Sequence, residues 1–173
     1  HAQVGLDLKI DSMATYNGVL QAQSTWALKN LVSGSDKFFN LPDLKPDDEG
    51  EDTISLHVGG SDAWMCMDVA LTSNDDKSST GPELDAGDAP NNPQDSWDGE
   101  LAQNIQFFWW ADDGDNVYEI GENSISTTTS RLNGAQVLSD FATSPHSVTL
   151  ADSEISVWGG DQGPLPAGQT IYI

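Results

Sequence analysis

The sequence predicts an all-β fold, a jelly-roll-like antiparallel β-sandwich with one or two short helices, and three observations carry that prediction. Apolar residues recur at every second position in short runs, helical spacing is nearly absent, and turn-forming residues punctuate the runs. Roughly seven to ten short strands between Gly-, Pro- and Asn-containing turns suit two sheets that cover one another. The 173 residues fit a single domain spanning 1–173, long enough to bury a core without disulfide staples.

In chain order, Val4 to Ile10 places Val4, Leu6, Leu8 and Ile10 on one face of a half-buried N-terminal strand. Thr25 to Lys29 reads as a second strand. Pro42 and Pro46 then fix turns and exclude a central strand. Asp52 to Val58 alternates, with Ile54, Leu56 and Val58 inward and Thr53, Ser55 and His57 outward. Ala63 to Leu71 is apolar on both faces, the pattern of a strand covered on both sides. Cys66, alone in the chain and inside that run, is therefore read as a buried, inert thiol. Residues 73–98 form a long polar loop rich in Asp, Asn, Ser, Gly and Pro. Asn104 to Trp110 is the most aromatic strand. Its rings suit a carbohydrate platform, yet four consecutive aromatics on alternating faces more often fill a core and its covering layer. Short strands follow at 117–120 and 124–126, and the spacing of Val137, Leu138 and Phe141 predicts a helix over about 134–143. Strands at 148–150, 155–158 and 169–173 complete the set.

Charge sets the exclusions. Six Lys plus Arg face 28 Asp plus Glu, for a formal net charge of −22, which repels nucleic acid and anionic membranes alike. The acidic set is 21 Asp and 7 Glu, a surface suited to a saline or divalent-rich exterior that screens self-repulsion. No apolar run is long enough for a membrane span. The opening His1-Ala2-Gln3 reads as a processed start, and the extracellular setting is expected from the acidic surface rather than from that start.

Catalytic patterns are hard to find. The three histidines are scattered, and neither a His-Glu-x-x-His helix nor a Gly-x-Ser-x-Gly elbow occurs, so the chain is not expected to be an enzyme. One acidic turn stands out. Asp112, Asp113, Asp115, Asn116 and Glu119 surround Gly114, with Glu122 beyond, and are candidate ligands for calcium, which takes converging oxygens. The ordinary alternative is an Asp-Gly hairpin loop carrying solvated charge. The N-terminal strand also has two readings. It pairs within its own domain, or it leaves to complete an exposed sheet edge of a neighbouring copy, with main-chain hydrogen bonds adhering and Val4, Leu6 and Leu8 filling pockets.

Several stretches resemble the TasA/camelysin family of secreted proteins. They are Leu6-Asp-Leu-Lys-Ile10, Leu44-Lys-Pro-Asp-Asp-Glu-Gly-Glu-Asp-Thr-Ile-Ser-Leu-His-Val58, Trp110-Ala-Asp-Asp-Gly-Asp-Asn-Val-Tyr-Glu119, and the final Gly-Gln-Thr-Ile-Tyr-Ile. The resemblance implies a jelly-roll-like subunit of a biofilm-matrix fibre or bundling pilus. Identical copies would link head to tail by donor-strand complementation, with Gln3, Val4, Gly5, Leu6, Asp7 and Leu8 as the candidate donor. Lateral bundling of such filaments is expected. The rival readings are a secreted camelysin-like metallopeptidase and a monomeric calcium- or carbohydrate-binding module.

Overall fold

A computed structural model of the chain describes residues 5–125, 136–142 and 146–173. Among the described residues the fold is mostly β, with antiparallel sheets and only two short α-helices, as the alternation predicts. The strands are β1 (Asp7–Tyr16), β2 (Val19–Leu20), β3 (Trp26–Lys29), β4 (Gly50–Gly59), β5 (Met65–Val69), β6 (Gln106–Phe107), β7 (Gln136–Val137), β8 (His146–Ala151) and β9 (Thr170–Tyr172). Helices α1 (Gly81–Asp85) and α2 (Leu101–Asn104) precede β6, and a 3-10 turn spans Leu138–Phe141. Two compact units result, one from residues 1–65, 110–124 and 149–173, the other from 66–109 and 125–148.

The first unit is built on a sheet in the order β2–β1–β4–β9, with β3 also paired to β1. β1 and β4 run antiparallel in unbroken register from Asp7↔Gly59 to Tyr16↔Gly50. A two-residue turn joins β1 to β2. Asn17 and Gly18 both take left-handed φ (49° and 73°), the conformation a type I′ hairpin requires and these two residues tolerate. Asp48 braces that turn, accepting hydrogen bonds from Asn17 Nδ2 (2.8 Å), the Lys45 backbone N–H (2.7 Å) and the Tyr16 hydroxyl. That hydroxyl bond, lost if the phenol ionises, pushes Tyr16 up to about 12.

The start of β1 departs from the predicted burial. Leu6, Leu8, Ile10, Ser12 and Ala14 share one face by alternation, yet Leu6 and Leu8 are exposed while Ser12 and Ala14 are buried. Among the described residues, the far side of β1 from β4 is paired from Ile10 onward, where β3 and then β2 lie alongside. Cover therefore deepens along the strand. β4 departs in the opposite sense: Thr53 and Ser55, read as outward, are buried together with Leu56 and Val58. It lies between β1 and β9 and is covered on both faces, so polar residues are drawn inside. The core of this unit gathers Leu56, Val58, Ala63, Ala151, Leu165 and Ile171, with Ile10, Ile54 and Trp158 packed against it.

Among the described residues β5 pairs with β8 alone. Its burial alternates, Met65, Met67 and Val69 being half-buried and Cys66 and Asp68 exposed, so the expectation of a doubly covered strand with a buried thiol is corrected.

In the second unit, residues 74–99 carry α1 and are otherwise irregular. Gly99 closes this loop, its N–H donating to the Asn74 carbonyl at 2.7 Å. A Cβ there would sit 2.9 Å from that oxygen, so only glycine fits. The aromatic segment forms just a two-residue strand, β6, paired with β7. Phe107 packs on Trp109 (5.4 Å between centroids) and on Phe141 (5.2 Å), and His146 meets Phe141 edge-on. The helix expected over 134–143 is replaced, within the described residues, by β7 and the 3-10 turn. Val137 pairs across to Gln106, which takes it out of helical geometry. The strands expected at 117–120 and 155–158 are loops with isolated bridges, and residue 126 lies outside the described residues.

Candidate functional site

The acidic turn lies on the arm of residues 110–124, which folds back on itself. Trp110 bridges Ser124, and the Ala111 N–H donates to the Asn123 carbonyl at 2.9 Å. The Asp112 N–H donates to the Tyr172 carbonyl, fastening the arm to β9. Asp112 is only 4 % exposed, and its carboxylate organises the turn. Oδ2 accepts from the Gly114 and Asn116 N–H groups (2.8 and 3.1 Å), and Oδ1 accepts from Trp110 Nε1 (3.0 Å). Gly114 has φ 110° and lies against the Tyr172 ring, where a Cβ would come within 3.1 Å.

Of the five residues the sequence singled out, Asp112 and Asp113 come together, and the third carboxylate beside them belongs to Glu122. Oxygens of Asp112, Asp113 and Glu122 lie within 4.8 Å of one another. Glu122 reaches back across the turn, accepting the Asp113 N–H at Oε1 (3.1 Å) and the Glu119 N–H at Oε2 (2.9 Å). Asp115 instead accepts the Val117 N–H (3.0 Å), and Asn116 contributes its backbone, at φ 63°. Glu119 is pushed above the usual carboxylate range, first by the charge of Asp115, then by desolvation and by Asp113, Glu122 and Asp112. Glu122 lay within the acidic segment of the sequence, but its place beside Asp113 depends on the arm folding back, which spacing alone does not reveal. A groove of about 280 Å³ adjoins the three carboxylates and is walled also by Trp158, Thr170 and Tyr172. Three carboxylates are a hard-oxygen donor set, the kind calcium takes, without the nitrogen or sulfur that zinc prefers.

The candidate donor segment is placed in part. Gln3 and Val4 lie outside the described residues. Gly5 and Leu6 precede β1, and Asp7 and Leu8 pair with Gly59 and Val58 of the same chain. Leu6 is 58 % exposed and Leu8 38 %.

A polar ladder crosses the same sheet, and the sequence reading missed it. His57 on β4 is half-buried, its Nε2 3.0 Å from Asp11 Oδ2 on β1 and its Nδ1 3.0 Å from Thr170 Oγ1 on β9. An Nε2–H donating to Asp11, with the Thr170 hydroxyl donating to Nδ1, satisfies all three groups. The histidine thereby joins three strands side chain to side chain. His57 faces Lys9 and Thr170 in register, a neighbourhood that only the pairing of β1, β4 and β9 creates. No family model, no curated protein and no solved structure matches the chain.

Proposed function

We propose that the chain is a structural subunit of an extracellular filament, a biofilm-matrix fibre or pilus, in which the N-terminal segment of one copy completes a sheet of the next. The observation that carries this reading is the uncovered start of β1. Leu6 and Leu8 stand exposed on the face that Ile10, Ser12 and Ala14 bury further along, and among the described residues pairing beyond β1 begins at Ile10. An apolar segment beside an open strand edge is what strand addition uses: backbone bonds supply adhesion and alternate side chains fill pockets. Each copy gives and receives, so the contact is head-to-tail and the polymer open-ended. The resemblance to the TasA/camelysin family supports the same reading, and with it secretion and closure of the strands in jelly-roll order. A net charge of −22 keeps such a fibre dispersed until cations bridge neighbouring filaments.

Negative-stain microscopy of the full chain, beside a variant lacking residues 1–6, tests this. Fibres are expected from the full chain and only folded monomer, by far-UV circular dichroism, from the variant. Fibres that survive the deletion would reassign the contact, and a full chain that stays monomeric at every concentration and salt would end the filament reading. Calcium binding at Asp112, Asp113 and Glu122 is a second reading, favoured by the convergence of their oxygens.

A further inference from the structure

Ser12 and Ser24 are almost wholly inside the first unit, at 2 % and 1 % exposure. Ser12 Oγ lies 2.7 Å from the Ser24 carbonyl oxygen, and 2.9 and 3.1 Å from the two carboxyl oxygens of Asp52 on β4. A hydroxyl carries one proton and can donate it once. With Asp52 ionised, the carbonyl and the carboxylate are both acceptors competing for that proton, and one contact is left without a hydrogen. A neutral Asp52 resolves the count. Its O–H donates to Ser12 Oγ, and Ser12 donates to the Ser24 carbonyl.

We propose that Ser12, Ser24 and Asp52 form a proton-operated clasp joining β1, β4 and the segment entering β3, closed by a neutral Asp52 and loosened when that group ionises. The clasp sits where it can matter. Ser12 pairs in register with Trp26 of β3, and the Ala14 N–H donates to Thr25 Oγ1 at 3.1 Å, so β3 is held to β1 at this point. Burial pushes Asp52 up to about 7, against hydrogen bonds from Ser12 and the Met13 backbone that act to lower it. The titratable groups on the surrounding strands are engaged elsewhere: Tyr16 of β1 with Asp48, Asp11 of β1 with His57 of β4, and Lys29 of β3 with Asp36 at 2.6 Å. Lys9 of β1 lies near Asp7, and Glu51, next to Asp52 on β4, points to the opposite face by alternation. The clasp stands whether or not the chain polymerises.

The sign follows from where the proton is held. An unfolded aspartate titrates near 3.8 and the folded Asp52 near 7. The contribution to stability is therefore complete below about pH 4 and is lost as pH rises through about 7. The test compares urea unfolding of the wild type and Asp52→Asn between about pH 5 and about pH 8, with carbon-13 NMR of the aspartate carboxyls in the folded wild type. In Asp52→Asn an amide N–H donates to Ser12 Oγ at every pH. The wild-type folding constant should fall severalfold per pH unit more steeply than the variant's, within a limit of about tenfold. NMR should show Asp52 titrating near neutrality. Equal pH slopes in the two proteins, or an Asp52 carboxyl titrating in the ordinary range, would overturn the clasp. Should Asp52→Asn not fold, the wild-type titration decides alone.

Discussion

Thr53 shows what a central strand does to a polar side chain. It is 8 % exposed on β4, and its Oγ1 has no hydrogen-bond partner among the described residues. A buried hydroxyl without a partner forfeits its hydration for nothing, while an isosteric apolar group would gain from the same burial. Thr53→Val is therefore expected to raise the urea midpoint, by about 1 kcal/mol in folding free energy, with an unchanged denaturant slope. A lower midpoint would mean that the hydroxyl has a partner. The sequence could not announce this residue, because alternation assigns Thr53 and Ser55 to a solvent face and says nothing of what lies beyond that face. Ser12 and Ala14 were illegible for the complementary reason. Their burial follows from strands arriving on both sides of β1, and their own chemistry argues for neither outcome.

Elements with a clear period of two were legible, and those set by tertiary partners were not. β3, β4, β8 and β9 fall where the sequence places them, to within a few residues, whereas β1 runs six residues beyond the expected end at Ile10, to Tyr16. The apparent helix over 134–143 failed because two neighbouring apolar residues serve a short strand as well as a helical face, and pairing to Gln106 decided between them. Two signals were present and unread. Asn17-Gly18 is a hairpin turn, and Thr80-Gly-Pro-Glu83 is a capping box, with the Thr80 N–H donating to the Glu83 carboxylate at 2.6 Å at the start of α1. In the acidic arm two of the five expected residues, Asp112 and Asp113, come together with Glu122, and Asp112 serves as scaffold: it holds two backbone N–H groups and one indole N–H. Asp112→Ala removes all three acceptor contacts from a buried site and should cost about 2–3 kcal/mol by thermal or urea unfolding. Asp112→Asn, which keeps one oxygen, should cost less. Equal losses in both would place the importance of Asp112 in its charge.

At the scale of the molecule, each compact unit is assembled from segments far apart in sequence, which no local pattern reveals. Charge is the whole-chain property that composition does state. With a net −22 the folded state concentrates like charges that the unfolded chain spreads out, so folding works against self-repulsion. Salt shortens the reach of that repulsion, from about 30 Å at 0.01 M to about 8 Å at 0.15 M and about 3 Å at 1 M. The melting temperature should therefore climb steeply with sodium chloride at low concentration and flatten as the screening length falls below the spacing of neighbouring carboxylates. Calcium chloride at matched ionic strength separates general screening from a specific site. If Asp112, Asp113 and Glu122 hold the ion, calcium raises the melting temperature further. Glu122→Gln should then remove that extra rise and leave the sodium curve in place, because the screened charges remain almost the same. Superimposed sodium and calcium curves in the wild type would assign the whole effect to screening and withdraw the calcium reading. An extra rise that persists in Glu122→Gln would move the ion to other carboxylates.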